Sequence, residues 1–298
     1  VDIQKSSISA TVLSEQDLKD KSVTGLNALQ YAAPSVTIDQ NGGANVFNIR
    51  GIGRERVDVE IPSGVVIYRD GVPTLTGFFQ NEPYYDMVGI EVLRGPQGTV
   101  AGKSASGGAV FIRTHNPDLE SVNGFVQAGV GNHGLFETTG AINVPLGDTF
   151  AVRVAYNHFQ RDSWYNLTGP YTGDPDKKDL DSARVSFLWQ PNDDLQIVWK
   201  NDFSYLDFGG DVASSYQTPL FDVHQDAPFY NMDKSWRSVL DVKYTFDDGT
   251  TFRSLSGVQS VFTRFAGDLN GSIVSPTFWF RAQGNFHFYS QEFSLVSP

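Results

Sequence analysis

The sequence predicts two unlike parts. Residues 1–117 read as a compact α+β domain. Residues 118–298 read as antiparallel transmembrane β-barrel strands, about eight of a larger barrel of about 22 strands. Three observations predict this. Glycines crowd between two strand-like runs at Glu91–Ile112. From Ser121 onward, segments of about ten residues alternate apolar and polar. The connections between those segments are sorted by length.

Ile8–Leu13 is a short strand candidate, and Ser14-Glu15-Gln16-Asp17 resembles a capping box that opens a helix. Thr24 is placed to cap a second helix over Gly25–Ala32, which Pro34 stops. Short strands are expected at Val36–Asp39, Phe47–Arg50, Val65–Arg69, Gly89–Leu93 and Ala109–Arg113. His115-Asn116-Pro117-Asp118 reads as a linker.

The second part changes character. Val152, Val154 and Tyr156 alternate with Arg153 and Asn157; Ala183, Val185 and Phe187 alternate with Ser182, Arg184 and Ser186. Ile197, Trp199, Phe203 and Tyr205 alternate with Gln196, Lys200, Asp202 and Ser204, and Trp236, Leu240 and Val242 with Arg237, Asp241 and Lys243. Val126, Val154, Phe187, Trp199 and Val242 are the expected lipid-facing positions. Pro145–Asp148, Pro191–Asp194 and Asp247–Gly249 are tight turns. Arg161–Asp181, Gly209–Lys234 and Arg264–Asn285 are long. Short turns at one rim and long loops at the other are the build of outer-membrane barrels. Gly131–Gly134 is short where that scheme wants a long loop.

Composition agrees. The chain has 298 residues, formal net charge -12 and a pI near 4.7, which argues against a nucleic-acid partner. Cysteine is absent, which excludes disulfide scaffolds and thiolate-held metals. No run of 18 apolar residues could make a transmembrane helix. No enzyme constellation and no cofactor fingerprint stands out. His115, His133, His158, His224 and His287 show no ligand spacing, so structural or solvent roles are expected. Asp174, Asp176, Asp179 and Asp181 cluster in the loop that follows Arg161. Lys177 and Lys178 sit among them, so a solvated, charge-balanced loop competes with a cation site. Asp207, Phe208, Asp211, Tyr216, Phe221, Phe229 and Tyr230 make the next loop acidic and aromatic, suited to binding rings or to self-packing.

The glycine segment admits a phosphate-loop reading, because Gly102-Lys103-Ser104 ends like one. That motif needs glycine at 97, where Gln97 stands; Gly98 is one residue out of register, and no helix opens after Ser104. Glu91–Thr114 instead resembles the plug signature of TonB-dependent outer-membrane receptors, with Val100-Ala101 in place of the usual Leu-Tyr. Asn48–Gly53 resembles the family's "IRGxG" strand end. Val66–Pro73 resembles its "VYVDGVP" stretch, departing at Arg69. The resemblance is sharp over the first ~115 residues.

The resemblance implies a plug gating a barrel lumen, active import of a scarce nutrient, and no chemistry. Energy would come from the TonB–ExbB–ExbD complex acting on a TonB box expected upstream of Val1. Partners would be outer-membrane lipid and a small molecule of open class. A passive porin-like or adhesive barrel is the alternative, and it needs no force-bearing plug. The plug-motif residues are Arg50, Gly51, Asp70, Gly71, Arg94, Gly95, Pro96, Gly98, Gly107 and Gly108. The family pairs its motif arginines with wall glutamates. That implies Arg50 or Arg94 bound to a barrel carboxylate, with Glu292, aimed at the lumen between Ser290 and Ser294, as the candidate in this chain; the alternative is that Glu292 only lines a wet interior and the partners lie beyond Pro298. A ~115-residue plug cannot enter an eight-strand barrel, so more strands are expected beyond Pro298.

Overall fold

The computed structural model describes residues 9–41, 44–53, 63–75, 81–96, 98, 105–171, 173–210, 219, 221–268 and 279–298. The readings placed on Gln97, Gly102, Lys103, Ser104, Asp211 and Tyr216 lie outside these residues, as do those on Val100-Ala101.

The N-terminal part opens with β1 (Ser9–Ser14), α1 (Glu15–Asp20) and α2 (Leu26–Ala32). Ser14 and Asp17 exchange capping bonds at the start of α1, as the sequence expects. Thr24 does not cap α2. Gly25 holds that position without a side-chain bond, and the Thr24 carbonyl accepts the Tyr84 amide instead. Strands β2 (Val36–Asn41), β3 (Ala44–Ile49) and β4 (Ile52–Gly53) form one antiparallel sheet. Strands β5 (Val65–Arg69), β6 (Val72–Pro73), β7 (Met87–Arg94) and β8 (Gly108–Thr114) join β1 in a mixed sheet ordered β1-β7-β8-β5-β6. The core lies between these sheets and the helices, with Leu13, Leu29, Ile49, Ile90 and Val110 fully buried.

Two motifs turn out to be hairpin turns. Arg50-Gly51 links β3 to β4 with φ of 54° and 77°, and Asp70-Gly71 links β5 to β6 with φ of 52° and 82°. Two successive positive φ values define a type I′ turn, which matches the twist of its strands and favours glycine second.

The C-terminal part is one antiparallel meander. Its strands are β9 (Asn123–Val130), β10 (Phe136–Pro145), β11 (Phe150–Arg161), β13 (Lys178–Trp189), β14 (Leu195–Asp207), β16 (Tyr230–Thr245), β17 (Thr251–Asp268) and β18 (Trp279–Val296). Two short strands, β12 (Asn166–Thr168) and β15 (Asp222–His224), pair in parallel between the connections that follow β11 and β14. Several strands run further than the alternation marked. Asp179 and Asp181, expected in a loop, lie on β13, because strand pairing continues past the apolar band that makes alternation visible. The short connection after β9 shares a rim with the longer one after β11: Asp162 donates its amide to the His133 carbonyl at 2.8 Å.

Register fixes two faces. Arg153, Arg184, Lys200 and Arg237 point toward the N-terminal domain. Val126, Val154, Phe187, Trp199 and Val242 lie on the opposite face, which runs from Tyr244 and Trp189 up to Tyr156, Phe203 and Trp236. No described helix is long and apolar enough to cross a membrane.

Candidate functional site: a charged contact between plug and wall

The N-terminal domain meets the sheet through buried charges. The Asp70-Gly71 turn pushes its tip against β17, where a Cβ on Gly71 would sit 2.9 Å from Leu255 Cδ2. Val72 packs there on Leu255 and Val239. Behind the turn, Lys200 Nζ donates to Asp70 Oδ1 at 3.0 Å and to the Thr114 carbonyl at 3.0 Å, while Thr114 donates its amide to Asp70 Oδ1 at 3.0 Å. Arg237 donates to Asp70 Oδ2 and to Asp202 Oδ2, each at 3.2 Å. Arg184 Nε donates to Asp202 Oδ1 at 2.7 Å, and the Tyr85 ring lies 4.9 Å from the Arg184 guanidinium. Arg153 grips Asp86 through two nitrogens, Nε at 2.9 Å.

Arg69, the one departure in its motif, is a bridge. It donates to Glu82 within the plug and to Asp202 of the wall at 3.3 Å. Glu82 also accepts from Ser235 Oγ at 2.9 Å. The plug thus brings Arg69, Asp70, Glu82 and Asp86, and the wall brings Arg153, Arg184, Lys200, Asp202 and Arg237. Buried charges on both sides are each other's solvent, since an isolated ion there would cost several kcal/mol.

Burial alone would raise the Asp70 carboxyl; the Lys200 ammonium and the Arg237 guanidinium overcome it and hold Asp70 well below the usual carboxylate range. Burial opposes charge on Arg69, yet Asp202 and then Glu82 raise its affinity for the proton. Burial pushes the Tyr85 phenol up to about 12. Asp70 and Asp86 both hold positive φ, 52° each. Left-handed backbone aims short carboxylates away from their strands, a conformation asparagine and aspartate tolerate.

Glu292, the lock candidate, is not among the described partners of Arg50 or Arg94. Arg50 donates to Ser9 Oγ at 3.2 Å. Arg94 donates to the Pro34 carbonyl at 3.0 Å, to Ser9 Oγ at 3.2 Å and to Thr11 Oγ1. Both guanidinium groups therefore tie the plug to itself, and among the described residues neither meets a wall carboxylate. Glu292 pairs in register with Leu255 and acts on the Tyr68 phenol, which burial and then Glu292 push up. In this contact mainly acids come from the plug and mainly cations from the wall. Alternation put those cations on the inward face, but nothing local pairs Asp70 with Lys200, 130 residues away.

The remaining motif glycines sit where β7 turns toward β8. Gly95 donates its amide to the Gly107 carbonyl at 2.9 Å. Gly108 has φ of +151°, and a Cβ there would lie 2.3 Å from the Leu93 carbonyl oxygen. Pro96 follows Gly95 without strand pairing, and Gly98 lies in a turn. Beside the plug, a cavity of about 1020 Å³ separates α1 and residues 81–87 from β9–β13, lined by Lys19, Tyr84, Phe125, Asn157 and Arg161 among others.

A small mixed domain docked by buried charges against an antiparallel wall defines the class: a plug with outer-membrane-type barrel strands. Residues 2–109 match the TonB-dependent Receptor Plug Domain, so this stretch of the chain is a plug domain of that kind. A pesticin receptor of Yersinia enterocolitica is 34% identical over 144 residues, covering 47% of this chain and 21% of that protein. A ferrioxamine receptor of the same species is 24% identical over 263 residues, covering 82% and 34%. The ferric yersiniabactin uptake receptor FyuA from Yersinia pestis has the same fold, with a TM-score of 0.83 at 21% identity, covering 98% of this chain and 46% of that one. The chain thus spans from a fifth to a third of the curated relatives it matches. These relatives are receptors, not enzymes.

Proposed function

We propose that the protein carrying this chain imports a ferric siderophore across the bacterial outer membrane, with residues 1–117 as the plug and residues 118–298 as the first barrel strands. The observation that carries the reading is the buried charge contact. A passive pore or adhesive barrel has no use for a domain held in its lumen by paired ions. A gated importer needs a plug that stays seated and can still be shifted by applied force, and hydrogen-bonded ions seat it in one register. The names of the relatives supply the cargo class. TonB with ExbB–ExbD supplies the force, since the outer membrane holds no ion gradient of its own. The event is differential binding and plug rearrangement.

The test is uptake of ⁵⁵Fe-loaded yersiniabactin and ferrioxamine by cells carrying the full-length gene, with and without TonB. Accumulation of at least one complex that vanishes without TonB is the expected result. Equal entry in both strains would return the passive barrel.

A further inference from the structure

Away from the plug, on the outward face of the wall, His158, Asp179 and Asp181 offer ligand atoms that all lie within 4.8 Å of one another. The pairing register brings them together. His158 on β11 stands opposite Asp181 on β13, with His158 Nδ1 at 3.0 Å from Asp181 Oδ1; Asp179 lies two residues along the same strand and so on the same face. Tyr156 donates its hydroxyl to the same Asp181 oxygen at 2.5 Å, closing the apolar side. In the row just below, Tyr156, Ala183, Phe203 and Trp236 end the apolar band.

The two lysines beside these acids do not neutralise them. Lys178 binds Asp176 at 2.8 Å, where Arg161 already binds at 2.7 Å, and Lys177 turns to Asp207 at 3.3 Å. Among the described residues, neither Asp179 nor Asp181 has a lysine or arginine partner. Asp179 also stands directly opposite Asp207 in the β13–β14 register, an arrangement that repels. Two carboxylates without a balancing cation, converging with one imidazole, form half of a coordination shell.

We propose that His158, Asp179 and Asp181 form a divalent-cation site at the extracellular edge of the apolar band, on the side of the wall facing away from the plug. One imidazole nitrogen and two carboxylate oxygens suit Zn²⁺ or Mn²⁺ better than an all-oxygen calcium cage. At ligand distances of about 2.1 Å, neighbouring donors sit roughly 3–3.5 Å apart. The His158–Asp181 edge already has that length, and Asp179 offers an oxygen within 4.8 Å of both. Water completes the shell from outside. The ion ties β11 to β13 beyond the end of the apolar band and cancels the repulsion along that rim.

The test uses the full-length receptor, without a polyhistidine tag, stripped with chelator and titrated with Zn²⁺ by calorimetry, then with Mn²⁺ by electron paramagnetic resonance. The expected result is one equivalent bound by the wild type. That equivalent is lost, or weakened at least tenfold, in His158→Ala and in Asp181→Asn, and it is retained in Asp176→Asn. Heat-modifiable gel mobility identifies folded barrels, and Asp179→Asn replaces any variant that fails it. Equal stoichiometry and affinity in wild type and folded site variants, or no ion bound at micromolar concentration, would overturn the site. No siderophore is present, so an error in the cargo leaves this result unchanged.

Discussion

Asp202 is the residue on which most of the plug contact converges. Arg69, Arg184 and Arg237 all reach it, and it is nearly inaccessible to solvent. Asp202→Asn leaves three guanidinium groups short of one negative charge in a dry contact. The expected cost is about 3–5 kcal/mol, because breaking a buried pair strands its partners. Urea unfolding of the plug, followed separately from barrel unfolding, measures it; an unchanged plug midpoint would refute it. Asp70 predicts a pH dependence. Its folded carboxyl lies below the unfolded value of about 3.9, so its stabilisation is present above that value and lost as pH falls toward the folded one. The plug midpoint is expected to drop between about pH 5 and about pH 3, with a shallower slope in Asp70→Asn. At Gly108, a methyl group would collide with the Leu93 carbonyl in a backbone region that side chains avoid. Gly108→Ala is expected to destabilise the plug by about 1–3 kcal/mol, read from the same urea curves.

Each barrel strand serves two environments through its period of two. Trp199 and Lys200 are adjacent on β14, yet one faces outward and the other binds Asp70 inside the contact. Arginine at an outward mid-strand position, Val154→Arg or Trp199→Arg, is expected to cost about 2–4 kcal/mol in folding into vesicles. No such penalty in lipid, or soluble folding of the barrel strands without detergent, would count against membrane insertion. The strands themselves were legible from alternation. Their outer ends were less so, because above Tyr156 the outward face of β11 and β13 turns polar at His158, Asp179 and Asp181 while the backbone ladder continues to Lys178 and Asp207. Two plug motifs were legible only as family stretches; the structure shows that Arg50-Gly51 and Asp70-Gly71 are hairpin turns with paired positive φ.

In the whole molecule, plug and wall exchange charges rather than apolar surface alone. Coupling across that contact is therefore expected to be pairwise. A double-mutant cycle of Asp86→Asn with Arg153→Gln should give a coupling energy of about 0.5–3 kcal/mol in plug stability. The same cycle on Arg94→Ala with Glu292→Ala should be additive, since among the described residues the partners of Arg94 all lie within the plug. The eight strands leave β9 and β18 as sheet edges among the described residues, with β18 paired only to β17.

By itself, the sequence determined the alternating strands after Ser121, their inward and outward faces, and the tight turns between them. Each of these is written in local order: glycine where φ must be positive, apolar residues every second position, tight turns alternating with long connections. Only the tertiary structure decided which charge meets which. Arg50 and Arg94 stay within the plug, Asp70 and Asp86 hold the wall, and His158 joins Asp179 and Asp181. The reason is physical. A buried ion takes whichever opposite charge the packing places within about 3 Å, and that distance follows from strand register and docking, not from spacing along the chain.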